Sequence, residues 1–258
     1  AFVRVLTEAT ALHGWRVHAY VIMRNHFHLA VETPQPNLVE GMHWLQSTLA
    51  TRFNRFRHEN GHLFQGRYQS LLIEDTAALS RVVDYIHLNP VRAGIVAAAQ
   101  ATAFRWSSLG RFVRNTMFPG LTAEDWLEFR GLTPTAAGWR DYTAHLAGLA
   151  EDQTQQKRLG FESLSHGWAI GTEGWRRALA KEFSHQALSP GLAAAEIRPL
   201  RETAWDEALR ELLRQDGRTP AELKAAGKTA AWKVALALRV RQRCGASVVW
   251  LAQNMNLG

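Results

Sequence analysis

The chain has 258 residues, of which 47% are hydrophobic and ten are Trp, so it can bury a core and is not a disordered protein. Its formal net charge is +7, and Arg supplies most of the basic residues. A basic surface suggests a polyanionic partner, although a high Arg content can equally reflect genomic base composition. The single cysteine, Cys244, excludes an internal disulfide and fits a reducing cytoplasm, and no apolar run of about 18 residues predicts a membrane span.

The positive charge is concentrated in the N-terminal part of the chain. Residues 1–118 contain 12 Arg and no Lys against seven Asp and Glu, which gives a net charge of +5. The remaining residues hold 18 basic and 16 acidic side chains, which gives +2. The anion-binding surface is therefore expected mainly in the first half.

Helices and strands alternate in this first half. Gly14 is predicted to end the first helix, Arg24-Asn25 to form a hairpin turn, and Asn37 to cap a helix. A later helix is predicted to end at Asn89, because a residue before proline resists the α conformation. The pattern predicts an α+β fold with helices over an antiparallel sheet, comprising helices over 1–13, 38–58, 77–88 and 91–99 and strands over 15–23, 23–32 and 71–74.

The second half differs in composition. Residues 119–195 are rich in Gly, Pro, Ala and Trp and have no evident role; helices are predicted there over 123–129, 136–149 and 172–183, with polar breaks at 151–157 and 184–191. Three helical runs follow from residue 198, and Ser247 is expected to cap the last of them after a break at Gly245. This end resembles the first part of a helix-turn-helix whose recognition helix would begin just after Gly258; the alternative is a plain helical bundle.

A short stretch, Met23 to Glu32, carries two histidines at alternating positions of a predicted strand. Residues two apart share a strand face, so His26 and His28 are expected to lie side by side while Phe27 points to the core. Two imidazoles on a rigid strand provide two-thirds of a metal site. Taken alone, the pattern also fits two polar residues on a solvated sheet face.

Tyr85 and Asn89 are spaced to share one face of a helix. Tyr85 lies off the apolar stripe, so its hydroxyl is expected to face outward or into a cleft; an amphipathic tyrosine with a solvated hydroxyl is the plain alternative. With His26 and His28, the Asn89 carbonyl could complete three neutral ligands for a divalent cation, and a water or Glu32 are the alternatives. Tyr85 would then sit one turn from the metal, where its oxygen could attack a phosphodiester.

Four motifs, in the same order and at similar spacing, resemble those of the single-tyrosine transposases of the HUH superfamily, which have an IS200-like transposase domain. Within these transposases, the sequence resembles the branch associated with repetitive extragenic palindromes (REP). The four motifs are 23–29 (Met-Arg-Asn-His-Phe-His-Leu), 61–70, 83–94 (with Tyr-Ile-His-Leu-Asn-Pro-Val) and 105–108 (Arg-Trp-Ser-Ser). The resemblance implies a ferredoxin-like antiparallel sheet with helices on one face. It also implies that Tyr85 is the nucleophile, that His26, His28 and Asn89 hold Mg²⁺ or Mn²⁺, and that a 5′-phosphotyrosine intermediate forms on single-stranded DNA with palindromic hairpins. Since imidazole suits Mn²⁺ better than Mg²⁺, Mn²⁺ is expected to bind at least as tightly.

The expected domains are a catalytic domain at 1–118, a helical linker region of unknown role at 119–197 and a truncated helix-turn-helix-like module at 198–258. Members of this family begin with a strand before the first helix, so we expect the chain to be truncated at its N-terminus. The expected partner is single-stranded or hairpin DNA, met in the cytoplasm at the nucleoid, and the chain could be a monomer or a dimer. DNA contacts are expected from basic and aromatic side chains, namely Arg52, Arg55, Arg57, Arg67, Tyr68, Arg81, Arg92 and Trp106.

Three functions fit this pattern. The leading one is a DNA-strand transesterase, and the main alternative is a non-catalytic nucleic-acid-binding regulator on the same fold. A metal-dependent nuclease that uses water is the third, with Tyr85 merely packed. Tyr68 is the alternative nucleophile if a tyrosine other than Tyr85 attacks.

Overall fold

A computed structural model describes residues 1–165, 167–182 and 198–257. The chain divides into two compact units, Ala1–His166 and Gly167–Gly258. The first unit combines a β-hairpin with helices, and the described part of the second is helical apart from a two-residue strand. The predicted α+β class and helical C-terminal region are thus confirmed.

The described elements follow the predicted order through most of the chain. Those of the first unit are α1 (Phe2–His13), β1 (Arg16–Ile22), β2 (Phe27–Glu32), α2 (Leu38–Arg57), β3 (Leu72–Ile73), α3 (Thr76–Arg92), a 3-10 helix (Ala98–Ala103), α4 (Leu109–Val113), α5 (Glu124–Glu128), α6 (Ala136–Glu151) and α7 (Gln153–Arg158). Those of the second unit are β4 (Ala169–Ile170), α8 (Glu173–Glu182), α9 (Arg198–Gln215), α10 (Pro220–Ala225), α11 (Ala231–Cys244) and α12 (Val248–Met255). The predicted polar break at 151–157 is largely the helix α7, and the break at 184–191 lies outside the described residues.

The predicted hairpin is confirmed. Strands β1 and β2 are antiparallel, with Val21 opposite His28 and Ile22 opposite Phe27. The alternating pattern predicted His26 within the strand. In the structure it lies in the turn just before β2. On its other edge, β1 makes only isolated bridges, from Val21 to Ser107 and from Val17 to Leu121, so the sheet of the hairpin has two strands. The ferredoxin-like arrangement stays a prediction.

Helix α3 runs further than predicted. Asp75 caps its start by accepting a hydrogen bond from the Ala78 backbone N–H at 2.7 Å. The predicted end at Asn89 is wrong, because the helix continues through Pro90 to Arg92. A proline near the last turn removes only one helical hydrogen bond, and the Asn89 carbonyl still accepts from the backbone N–H of the residue after Arg92. The separate helix predicted over 91–99 is therefore also wrong.

The middle of α3 is buried on all sides, from Val82 to Pro90. Aromatic side chains of the following segment form the cover, with Trp126 and Tyr142 at 5.0 Å and Phe112 and Trp139 at 5.4 Å between ring centroids. A helix that is enclosed all round needs apolar partners on both faces. Apart from Phe112, these partners come from residues 119–165, for which the sequence suggested no role.

Two expectations for α2 need correction. Asn37 precedes the helix as predicted, but its side chain makes no cap hydrogen bond. Its amide instead accepts from the Trp15 indole N–H and donates to the His13 carbonyl, both at 2.9 Å. Phe56 is 82% exposed, although the helical spacing of the apolar residues from Met42 to Phe56 predicts it on the core face.

The second unit has its own core. Helices α9, α11 and α12 share it, with buried side chains that include Leu209, Leu213, Leu236, Val240 and Trp250. Gly245 ends α11 with a positive φ of 68°, and the Ser247 hydroxyl caps α12, as predicted. Whether this unit reads DNA as a helix-turn-helix stays a prediction. None of the described helices is long and apolar enough to cross a membrane.

Candidate active site

The two motif histidines lie side by side. The ring centroids of His26 and His28 are 5.0 Å apart, and the rings are nearly perpendicular. His26 is exposed, and its Nδ1 lies 2.8 Å from the Asn25 side-chain oxygen. Because an amide oxygen can only accept, Nδ1 donates this bond and Nε2 keeps the lone pair that a metal needs.

His28, the second residue of β2, is partly buried. Burial, and to a smaller extent the nearby His26 and Arg92, lower its pKa to about 4. The imidazole is therefore neutral near pH 7, which is the form that binds a metal. The His28 ring also meets the Tyr85 ring edge to face, with 5.3 Å between the centroids.

Tyr85 lies within a group of four side chains. Besides His28, the Phe161 ring contacts it edge to face at 5.8 Å, and the Arg92 guanidinium lies 5.1 Å from its ring centroid. Only 7% of Tyr85 is exposed, so of the two orientations expected from the sequence, outward or into a cleft, the outward one is wrong. Arg92 is exposed, so the side of the phenol next to Arg92 is where a phosphate can approach.

The structure thus brings His26, His28 and Tyr85 together. Asn89 lies one turn after Tyr85 on the same helix and is 8% exposed. The hairpin and α3 pack against each other. The roles of these residues in metal binding and catalysis stay predictions. As a donor set, two neutral imidazoles and an amide oxygen suit Mn²⁺ and tolerate Mg²⁺.

The described residues contain one further cluster of metal-ligating types, and it is distinct from the motif histidines. Ligand atoms of His18, Glu32 and Asp125 all lie within 4.8 Å of one another. Arg16 donates to both carboxylates, at 2.9 Å to Glu32 and 2.8 Å to Asp125, so one cation already pairs with both of them.

This cluster also lies at the other end of the hairpin. Glu32 is four residues from His28, about 13 Å along a strand, and it cannot complete the shell of the motif histidines. His18 is 3% exposed, and burial lowers its pKa. We interpret the cluster as an ion-pair network that joins the hairpin to α5.

A buried polar network lies behind Tyr85. The neighbouring Asp84, 1% exposed, accepts hydrogen bonds from the Arg130 guanidinium and, at 3.1 Å, from the Tyr142 hydroxyl. His145 Nε2 also lies 3.1 Å from the Asp84 carboxylate. Burial and the Asp84 charge raise the pKa of Tyr142, so its hydroxyl stays protonated and can donate.

The network continues through His87 to the hairpin. His87 Nδ1 lies 2.9 Å from the Tyr142 hydroxyl, and Nε2 lies 2.9 Å from the Ser108 hydroxyl. Ser108 in turn accepts from the Tyr20 backbone N–H in β1 at 3.0 Å. Burial lowers the pKa of His87 to about 3, so the ring is neutral. The chain of contacts fixes α3, and with it Tyr85, relative to the strand before the motif histidines.

Sequence reasoning missed this network and Phe161. The available signal was that Asp84 and His87 flank apolar positions in the middle of a helix, where polar side chains need buried partners. The partners of Asp84, Arg130 and Tyr142, lie 46 and 58 residues after it in the chain. Nothing in the local pattern indicates those pairings.

The residues predicted to contact DNA are mostly at the surface. Arg55 and Arg67 are exposed, whereas Tyr68 and Arg81 are half-buried. Trp106 is 42% exposed. Their contacts with DNA stay predictions.

Three of the predicted arginines already have partners. Arg52 donates to both carboxylate oxygens of Glu8, at 2.9 and 2.7 Å. Arg57 pairs with Glu59 at 3.4 Å, and the Arg92 Nε donates to Gln156 at 3.1 Å. A phosphate at Arg52 or Arg57 would have to compete with a carboxylate.

Comparison with protein families identifies the N-terminal segment. Residues 1–89 match the family model described as "Transposase IS200 like". The match covers 89 of the 258 residues and contains His26, His28, Tyr85 and Asn89. This segment is therefore similar to the IS200-like transposases, which supports the family predicted from the motifs. The family suggests a transposase that acts on DNA. Neither the curated proteins nor the solved structures compared with the chain give a significant match.

Proposed function

We propose that the protein is a metal-dependent DNA-strand transesterase of the REP-associated branch, cleaving and joining single-stranded DNA at hairpin sites in the cytoplasm, at the nucleoid. The observation that carries the proposal is the edge-to-face contact between His28 and Tyr85 at 5.3 Å. It places a candidate nucleophile beside a candidate metal ligand, and both lie within the segment that matches the transposase family.

The reaction follows from the chemistry of the phenol. The Tyr85 oxygen attacks a phosphorus of the backbone, the bond from phosphorus to the 3′ oxygen breaks, and a proton passes to that oxygen. The broken strand stays attached through a 5′-phosphotyrosine bond, so attack by a 3′ hydroxyl reverses the step and joins strands. A divalent cation, held by His26, His28 and Asn89, supplies Lewis-acid charge to the phosphate when bound.

Arg92 has a positioning role in this scheme. Its guanidinium lies over the Tyr85 and Phe161 rings, at 5.1 and 5.4 Å from their centroids. Among the described residues, no carboxylate pairs with it. A guanidinium so placed can bind a phosphate through two hydrogen bonds and hold it next to the phenol.

Denaturing electrophoresis tests the proposal. The protein is incubated with labelled single-stranded hairpin DNA and Mn²⁺, and the products are separated under conditions that disrupt non-covalent complexes. A protein band that carries the label supports the transesterase. Free fragments alone would indicate a nuclease that uses water, and intact DNA with binding would indicate a regulator; either result would overturn the proposal.

Loss of a metal ligand should show directly in metal affinity. We expect His28→Ala to weaken Mn²⁺ binding by about tenfold or more, because it removes a neutral imidazole from the shell. Electron paramagnetic resonance of free Mn²⁺ measures this without any activity. The matched control is Glu32→Gln, in the ion-pair network at the far end of the hairpin, which should leave Mn²⁺ affinity unchanged. The reverse pattern would move the metal to His18, Glu32 and Asp125.

DNA affinity should fall steeply with salt. If the four predicted arginines without a carboxylate partner among the described residues all contact phosphates, the logarithm of the affinity should fall with the logarithm of salt concentration with a slope of about −3, since each contact to a single strand contributes about 0.7. Fluorescence anisotropy at a series of salt concentrations measures the slope. Arg55→Gln should make the slope shallower by about 0.7, whereas Arg52→Gln should change it less because Arg52 is held by Glu8. An affinity independent of salt would contradict the arginine assignments.

A further inference from the structure

An open pocket in the first unit is formed by two segments, one hydrogen-bonded to β1 of the hairpin and the other to α3. Ile95 and Val96, just after α3, line one side, and the stretch from Phe104 to Trp106 lines another. Its volume is about 400 Å³. Ile95 and Trp106 are 50% and 42% exposed, which is high for large apolar side chains. An exposed apolar concavity of this kind is typical of a binding site.

The pocket combines an aromatic face with a cation. The Arg105 guanidinium lies 4.4 Å from the centroid of the Trp106 ring, and both side chains are exposed. Within the described part of the chain, no carboxylate pairs with Arg105. An indole offers a flat surface for stacking, and a guanidinium without a counter-ion offers a contact for phosphate. A nucleotide carries both matching groups, a planar base and a phosphate.

The pocket wall formed by residues 104–106 is connected through β1 to the histidine motif. The Trp106 carbonyl accepts a hydrogen bond from the Ile22 backbone N–H at 2.9 Å, and Ile22 is paired with Phe27, which lies between the two histidines. The Trp106 backbone is therefore about two strand spacings, or about 10 Å, from Phe27.

The pocket wall formed by Ile95 and Val96 is connected to α3, the helix that carries Tyr85. The Ile95 backbone N–H donates to the Pro90 carbonyl at 2.9 Å, and Pro90 directly follows Asn89. Both walls are thus hydrogen-bonded to the elements that carry the candidate site. At a rise of about 3.4 Å per stacked nucleotide, 10 Å corresponds to about three nucleotides.

We propose that this pocket binds one unpaired nucleobase of the substrate strand, within about three nucleotides of the cleaved phosphate, by stacking on Trp106 while Arg105 contacts a neighbouring phosphate. The proposal rests on the proposed function, since it assumes a single-stranded DNA substrate. A base in a duplex is stacked on both sides and cannot enter, so the pocket also favours single strands over duplexes.

Equilibrium binding tests the pocket separately from catalysis. The full chain carrying Tyr85→Phe, which leaves no nucleophile at the site, is titrated by anisotropy with a labelled oligo-dT strand and with an abasic strand of equal length. Trp106→Ala is expected to weaken oligo-dT binding by about tenfold, as stacking of one base does. Binding of the abasic strand should not change. The matched control, Phe129→Ala, removes a 57% exposed aromatic ring of the same unit and should change neither.

Two further comparisons separate stacking from loss of structure. Trp106→Phe keeps an aromatic face and should recover most of the affinity for oligo-dT. Unchanged oligo-dT binding by Trp106→Ala, an equal loss on the abasic strand, or failure of Trp106→Phe to recover affinity would each overturn the pocket. Covalent adducts of the unaltered protein are measured independently. If the protein forms adducts but Trp106→Ala binds oligo-dT normally, only the pocket is rejected. If binding depends on the base as expected but no adducts form, only the transesterase is rejected.

Discussion

The Tyr85→Phe variant is expected to form no covalent protein–DNA adduct, while it binds single-stranded DNA nearly as tightly as the unaltered protein. The substitution removes only the hydroxyl, so the contacts of the ring with His28, Phe161 and Arg92 remain. Without a phenol oxygen there is no nucleophile to attack phosphorus. Denaturing electrophoresis measures the adduct, and anisotropy measures binding.

The matched control for this prediction is Tyr68→Phe. Tyr68 is half-buried and precedes β3, outside helix α3, so its variant should retain adduct formation. Adducts formed by Tyr85→Phe and lost in Tyr68→Phe would transfer the nucleophile to Tyr68. Adducts lost in both would indicate that one substitution damages the fold, which the binding measurement detects.

The Asp84→Asn variant should be the least stable single variant of the first unit. The amide keeps the volume of the carboxylate but leaves the Arg130 guanidinium, 18% exposed, without its counter-ion. Removing one partner of a buried ion pair costs about 3–5 kcal/mol, and the partial exposure of Arg130 places the expected loss near about 3 kcal/mol. For a unit of this size, the thermal midpoint should fall by about 6–12 °C.

Thermal unfolding followed by circular dichroism measures this loss. The matched control is Glu8→Gln, which removes the carboxylate paired with Arg52 at the surface and should leave the midpoint unchanged. Equal midpoints for Asp84→Asn and the unaltered protein would show that the buried network does not stabilise α3.

The hairpin and its histidines were predictable because the information is local. Alternation of apolar residues, the turn at Arg24-Asn25 and the glycine after α1 each act over a few residues. Within the hairpin, only the position of His26 was predicted wrongly: the turn is slightly longer than the sequence suggested, so His26 precedes the strand. The rings of His26 and His28 nevertheless lie side by side, as predicted.

The surroundings of Tyr85 were not predictable in the same way. Pro90 is a strong local signal for a helix end, yet packing on all sides of α3 maintains the helix to Arg92. The side chains of Phe161, Arg130 and Tyr142 cover and anchor the helix, and they come from a distant segment of the chain. No local pattern in that segment indicates that it packs against α3. Such contacts depend on tertiary packing, which overrides local preference.

Mass spectrometry of the trapped intermediate tests most directly whether this protein cleaves DNA through Tyr85. After reaction with single-stranded hairpin DNA and Mn²⁺, nuclease and trypsin reduce the adduct to peptides. Trypsin cuts after Arg81 and Arg92 and releases residues 82–92, in which Tyr85 is the only tyrosine. We predict that this peptide carries a nucleotide joined to Tyr85 through its 5′ phosphate. A nucleotide on another tyrosine, or an unmodified 82–92 peptide after complete cleavage of the DNA, would contradict the assignment.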